Sequence, residues 1–199
     1  RMKKNANPAA IKALKEGTLI LYPTDTLYAL GADIFNTTAV KKVFDIKRRP
    51  YTIPLPVAVS SIETIETIAF MNETAWTLSE KFLPGNLTII LKKKPTVPLI
   101  VTSGFDTIAI RVPNHPVALH LLSAFGPLTV TSANIHTKKT LAIPKDILQQ
   151  LKTSIPVCLT NGRKEGVAST IIDLSEKEPR IVREGSIRKD ELLDVILHG

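Results

Sequence analysis

Thr37-Thr38-Ala39-Val40-Lys41-Lys42-Val43-Phe44-Asp45-Ile46-Lys47-Arg48-Arg49-Pro50, continuing through Pro54-Leu55-Pro56-Val57-Ala58-Val59, carries the pattern that decides the fold. After Thr37 or Thr38 as a cap, Val40, Val43, Phe44 and Ile46 keep helical spacing, and Leu55 to Val59 reads as a buried strand. A helix that turns a basic corner into an apolar strand is a unit of α/β architecture. The corner holds Lys47, Arg48 and Arg49. Alone, this triplet reads first as a solvated helix C-terminus whose cations complement the dipole. As a Lys-x-Arg pair it also suits a polyphosphate, because arginine offers a planar fork and lysine a movable point charge.

The alternation extends in both directions. Asn7-Pro8 caps and opens a helix to about Lys15 that Gly17 ends, and a strand follows at Thr18 to Tyr22. Helices are expected at 62–69, 74–82, 117–124, 145–151 and 189–197. Strands are expected at 87–91, 107–112, 128–131, 157–160, 170–174 and 180–183. The fold class is therefore α/β: a twisted, mixed parallel and antiparallel sheet flanked by helices, with a basic concave face. One domain is expected over residues 1–199, with residues 1–7 a tag remnant and flexible N-terminus, since Arg1 precedes Met2.

The 26 Lys plus Arg outnumber 18 Asp plus Glu, and the net charge of +8 favours anionic partners such as nucleotides or RNA. A single cysteine excludes an intramolecular disulfide and a multi-cysteine zinc site, in keeping with a reducing, cytoplasmic setting. No apolar run reaches the ~20 residues of a membrane span, so no membrane role is expected. The four histidines lack metal-ligand spacing, and no metal-binding residue is assigned.

Polar clusters stand at the expected strand ends: Tyr22-Pro23-Thr24-Asp25-Thr26-Leu27-Tyr28, Arg111-Val112-Pro113, Thr131-Ser132-Ala133-Asn134 and Ala168-Ser169-Thr170. Open α/β sheets place ligands there. Each has a structural alternative, with Asp25 capping a turn, Arg111 pairing with a surface carboxylate, and Ser132 with Asn134 shaping a loop. P-loop and dinucleotide fingerprints are absent, as are the metalloprotease and nucleophile-elbow motifs. Cations plus hydroxyls suit phosphoryl or nucleotidyl transfer, where positioning and charge stabilisation do most of the work.

With these motifs in this order, the chain resembles the YrdC/Sua5/TsaC family of threonylcarbamoyl-AMP synthases, over about residues 10–187. The resemblance rests on Tyr22-Pro23-Thr24-Asp25-Thr26 with Tyr28 and Leu30-Gly31, Lys47-x-Arg49-Pro50 with Pro54-Leu55, Leu83-Pro84-Gly85 with Leu87-Thr88, and Ala109-Ile110-Arg111-Val112-Pro113. Further on come Ser132-x-Asn134, Ser169-Thr170-Ile171-Ile172-Asp173 and Val182-Arg183-Glu184-Gly185-Ser186-Ile187. It implies condensation of L-threonine, bicarbonate or carbon dioxide, and ATP into threonylcarbamoyl-AMP and pyrophosphate. Mg²⁺ would accompany the ATP, with no prosthetic group. By the same resemblance the product serves tRNA modification: tRNA or double-stranded RNA is a candidate partner, and a downstream transferase consumes the product.

Carried over position by position, the nucleotide contacts fall on Lys47, Arg49, Thr107, Ser132, Asn134, Thr140 and Arg183, with Lys47 and Arg49 catalytic. The threonine contacts fall on Thr26, Arg111, Val130 and Ser169. The chain departs from the family at Ala29, where glycine is usual, at His136-Thr137, where Ser-Gly is usual and after which Lys138-Lys139 follow, and at Ala168, where proline is usual. These departures leave room for a divergent paralogue acting on another acceptor. A non-catalytic RNA-binding module is the other alternative, disfavoured by 6 Phe, 3 Tyr and 1 Trp without an interleaved stacking pattern.

Overall fold

In the computed structural model the described residues are 7–198, so of the expected tag remnant and flexible N-terminus at 1–7 all but Asn7 lies outside them. Asn7 caps the first helix, α1 (Pro8–Lys15), its side chain accepting from Ala9 N and Ala10 N. Gly17 leaves that helix at a φ of +71°, a conformation that suits glycine. Strands β1 (Ile20–Pro23) and β2 (Tyr28–Gly31) then pair antiparallel. β2 was not expected from the sequence, since all four of its residues are buried and show no alternation.

Helix α2 (Thr37–Lys47) is capped by Asn36, whose Oδ1 accepts from Ala39 N at 3.0 Å, correcting the expected threonine cap. Arg48 ends it in the left-handed region at φ 50°. β3 (Val57–Ala58) is followed by α3 (Ile62–Ile65), closed by a Ser61–Thr64 capping box. α3 stops four residues before the expected end because Ala69 leaves it to bridge Lys93. α4 (Glu73–Phe82), β4 (Leu87–Lys92), β5 (Thr107–Arg111) and α5 (Pro116–Phe125) lie close to their expected bounds.

The expected strand 128–131 divides into β6 (Leu128–Thr129) and β7 (Thr131–Ser132), which belong to different sheets. Val130 between them donates its N–H to Pro56 O at 2.9 Å. The chain closes with α6 (Pro144–Leu151), β8 (Val157–Cys158), β9 (Thr170–Asp173), β10 (Arg180–Arg183) and α7 (Lys189–His198).

Two mixed sheets result, in the orders β7-β2-β1-β8 and β10-β9-β4-β5-β3-β6. Buried polar groups join them at the 128–132 crossing. Thr129 Oγ1 donates to Leu30 O and accepts from Ala32 N, while Tyr22 Oη donates to Thr129 O at 2.8 Å. Desolvation raises the Tyr22 phenol well above its ordinary range, so it stays a donor. The main apolar core packs α2, α4 and α7 on the six-stranded sheet through Phe44, Leu78, Ile89, Ile110, Ile172 and Leu192. Smaller clusters fill the space between α1, α5 and β1, and beneath α6. Among the described residues no helix is long and apolar enough to cross a membrane.

Candidate active site

The β1–β2 turn is shaped by Thr24, whose hydroxyl accepts from Thr26 N and Leu27 N and donates to Leu27 O at 2.6 Å. This side-chain turn holds Thr26 at one wall of a cavity of about 420 Å³. The same cavity is lined by Arg49, Thr107, Arg111, Val130, Ser132, Thr140, Ser169 and Arg183. The chain thus brings together residues from positions 26 to 183 that the sequence reading assigned to one site. Lys47 and Asn134 stand behind the wall and do not line it.

Arg49 is aimed by the left-handed Arg48, and its guanidinium donates to Ile53 O at 2.9 Å and Pro54 O at 2.7 Å. Lys47 is 1% exposed and points inward. Its ammonium donates to Ser132 O, to Asn134 O at 2.8 Å and to Asn134 Oδ1 at 3.3 Å. Burial, and secondarily the Arg49 charge, push Lys47 down to about 7, while three surrounding oxygens favour the ammonium form. Its inward position is legible in hindsight, because Lys47 continues the Val40, Val43, Phe44 stripe at helical spacing.

Asn134 holds the following loop closed, donating to Ile135 O and Lys138 O and accepting from Ser132 Oγ at 2.6 Å. His136 N donates to Lys47 O at 2.7 Å, so the divergent 136–139 loop rests on the end of α2. Thr140 beyond it borders both the main cavity and an adjoining one of about 620 Å³, lined in part by Lys139, Arg163 and Lys164.

Arg111 rises from the end of β5 and is buried. Nη2 meets Asp25 Oδ1 at 2.6 Å and Gly85 O at 3.3 Å, and Nη1 donates to Thr26 Oγ1 at 3.2 Å. Nε is buried without a partner. Of the five N–H groups of a guanidinium, Nε–H and one on Nη1 therefore have no protein acceptor. Desolvation lowers the Arg111 pKa from its ordinary value, and Asp25 opposes that shift. Ser169 Oγ shares a hydrogen bond with Thr88 Oγ1 at 2.8 Å, and its carbonyl accepts from Arg183 Nε and Nη2 at 3.2 and 2.9 Å.

Close packing fixes these segments. A Cβ on Gly166 would lie 2.8 Å from Thr26 Cα, and one on Gly185 would lie 2.1 Å from Ala168 O. The sequence reading placed Thr24, Asp25, Gly85 and Thr88 within motifs but assigned none of them a role in the site, offering for Asp25 the alternative of a turn cap. Position in the Pro23-Thr24-Asp25-Thr26 turn is the one signal that pointed to Thr24 and Asp25.

These features define an α/β protein with a cavity lined by cations and hydroxyls, built to hold anionic groups. The comparisons give the family. The Sua5–YciO–YrdC family model, described as "Telomere recombination", matches residues 12–185, and the chain belongs to that family. The chain is 37% identical over 186 residues to the threonylcarbamoyl-AMP synthase of Pyrococcus abyssi, covering 92% of this chain and 55% of that protein. It is 37% identical over 191 residues to the threonylcarbamoyl-AMP synthase of Bacillus subtilis, covering 94% and 55%. It thus spans about half the length of these curated relatives.

Among solved structures, P. abyssi Sua5 complexed with L-threonine matches at a TM-score of 0.88 and 36% identity, over 94% of this chain and 56% of that one. Escherichia coli YciO matches at 0.84 and 30%, over 92% and 91%. The expected fold class agrees with these structures, with the refinement that the strands form two sheets rather than one.

Proposed function

We propose that the protein is an L-threonylcarbamoyladenylate synthase. The observation that carries this reading is the presence, in one cavity, of Arg111, which keeps an uncommitted N–H on Nη1, with the guanidiniums of Arg49 and Arg183. The first suits an amino-acid carboxylate and the others a polyphosphate. The relatives' name and the threonine in the P. abyssi complex agree with it.

In this mechanism Arg111 takes the threonine carboxylate, and the hydroxyls of Thr26 and Ser169 with the Val130 wall orient the rest of the molecule. The threonine ammonium and bicarbonate give the N-carboxylate, one water and one proton. A carboxylate oxygen of that species attacks the α-phosphorus, the bond to the bridging oxygen of the leaving group breaks, and pyrophosphate departs. Arg49 and Arg183 stabilise the charge that develops. Thr107, Ser132 and Thr140 bind the nucleotide by hydrogen bonding, and Asn134 acts through the 132–134 turn. Lys47 reaches the phosphates only by leaving the carbonyls of Ser132 and Asn134, so nucleotide binding and the shape of that turn are coupled.

No carboxylate is among the residues lining the cavity. This lining supplies no carboxylate ligand for Mg²⁺, so the ion would enter with ATP as the Mg–ATP substrate. The product is an activated carbamoyl donor, and by resemblance a transferase passes its group to a tRNA adenosine. Pyrophosphate release from ATP with bicarbonate and Mg²⁺ tests the reading, run with L-threonine, with L-serine and without amino acid. Threonine-dependent release is expected. ATP binding without release would point to another acceptor, and no ATP binding to an RNA-binding role.

A further inference from the structure

Asp25 sits at the tip of the β1–β2 turn, yet it is absent from the residues lining the cavity, although its neighbours Thr24, Thr26 and Leu27 line it. Its carboxylate instead meets Arg111 Nη2 at 2.6 Å, with the two side chains 17% and 7% exposed. The Arg111 guanidinium is thus held by acceptors from separate segments, Asp25 and Thr26 of the turn and Gly85 after α4. What remains toward the cavity is one N–H on Nη1, since the other unpartnered group, Nε–H, lies on a different edge and is buried.

We propose that Asp25 is a positioning residue that sets the selectivity of the amino-acid pocket. It does so in two ways, both through Arg111. It fixes the guanidinium so that the free Nη1 N–H is presented in one orientation. It also neutralises the arginine in the empty pocket, so a ligand is chosen by hydrogen-bond geometry rather than by bare charge. A buried, uncompensated arginine would attract any small anion, including phosphate and pyrophosphate, which the reaction itself produces. With Asp25 in place, such anions face a neutral pair. The proposal rests on the reading that Arg111 binds the threonine carboxylate.

The test is steady-state kinetics with threonine or ATP varied, with and without inorganic phosphate, on the wild type, Asp25→Asn, Arg111→Met and the double variant. Asp25→Asn keeps the shape and removes the charge. It should raise the threonine KM about tenfold, equivalent to about 1.4 kcal/mol, leave the ATP KM unchanged, and make phosphate competitive with threonine. In the double variant the Asp25 change should add nothing to the effect of Arg111→Met. Asp25→Glu keeps the charge but moves the carboxylate, and covers the case in which the neutral variant fails to fold. It should raise the threonine KM without admitting phosphate. Equal rises in both KM values, effects that multiply in the double variant, or phosphate competition absent from Asp25→Asn and present in Asp25→Glu would overturn the proposal. An Arg111→Met variant with an unchanged threonine KM would overturn the functional reading first, and the proposal with it.

Discussion

Lys47 links folding to protonation and, under the proposed function, to nucleotide binding. Its folded-state value of about 7 lies below the usual lysine range, so the unfolded chain holds the proton where the native state has released it. The contribution of Lys47 to stability therefore rises with pH from about 7 to about 10 and falls as pH drops through 7. Thermal unfolding across that range should show the rise in the wild type and lose it in Lys47→Met; equal slopes would contradict it. Polyphosphate at the site favours the ammonium, so ATP binding above pH 7 should take up a proton. Calorimetry in buffers of different ionisation enthalpy reads this directly. Lys47→Ala and Arg49→Ala should each abolish threonine-dependent pyrophosphate release in a folded protein. Arg111→Met removes charged hydrogen bonds worth about 1.5–3 kcal/mol and should raise the threonine KM by roughly ten- to a hundredfold. At this scale the sequence was informative about which residue types belong together. It did not reveal that Asp25 turns away from the cavity, because that orientation depends on a contact with Arg111 across the chain, whereas the inward Lys47 was readable from its place in the Val40, Val43, Phe44 stripe.

Elements explain why those side chains stay in place. Asn36 caps α2, and Asn36→Ala should cost about 1 kcal/mol in thermal unfolding while leaving the threonine KM unchanged. Gly185 is different, because its neighbours are backbone: Ala168 O at 2.1 Å, and Ser169 C and Thr170 N at 2.7 Å. Gly185→Ala forces these apart and should cost about 1–3 kcal/mol. It should also lower turnover, because Ser169 and Arg183 share that corner; a stable variant with normal turnover would show that the corner is slack. Helices with apolar stripes were legible from 3.6-residue spacing; the Asn7 cap of α1 was read correctly, while the α2 cap fell on Asn36 rather than on the threonines after it. β2 was not legible, since four consecutive buried residues lack the alternation that marks a strand. Residues 128–131 read as one strand because nothing local shows that Pro56 O takes the Val130 N–H.

At the scale of the molecule, α/β layering was readable from the alternation of patterns, but the division into two sheets was not, because pairing between distant strands has no local signature. That division places the cavity where the sheets meet. Thr26 and Ser132 come from one side and Arg111, Ser169 and Arg183 from the other. Val130 is the single residue between the two strands that cross from sheet to sheet, and it lines the cavity as well. A displacement of one sheet against the other would therefore alter the site at residue 130 and change its width. A nucleotide and an amino acid bound across the seam would clamp it. Amide hydrogen exchange should then slow together in β2 and β5, strands that share no hydrogen bond, and protection confined to one sheet would mean the seam does not move.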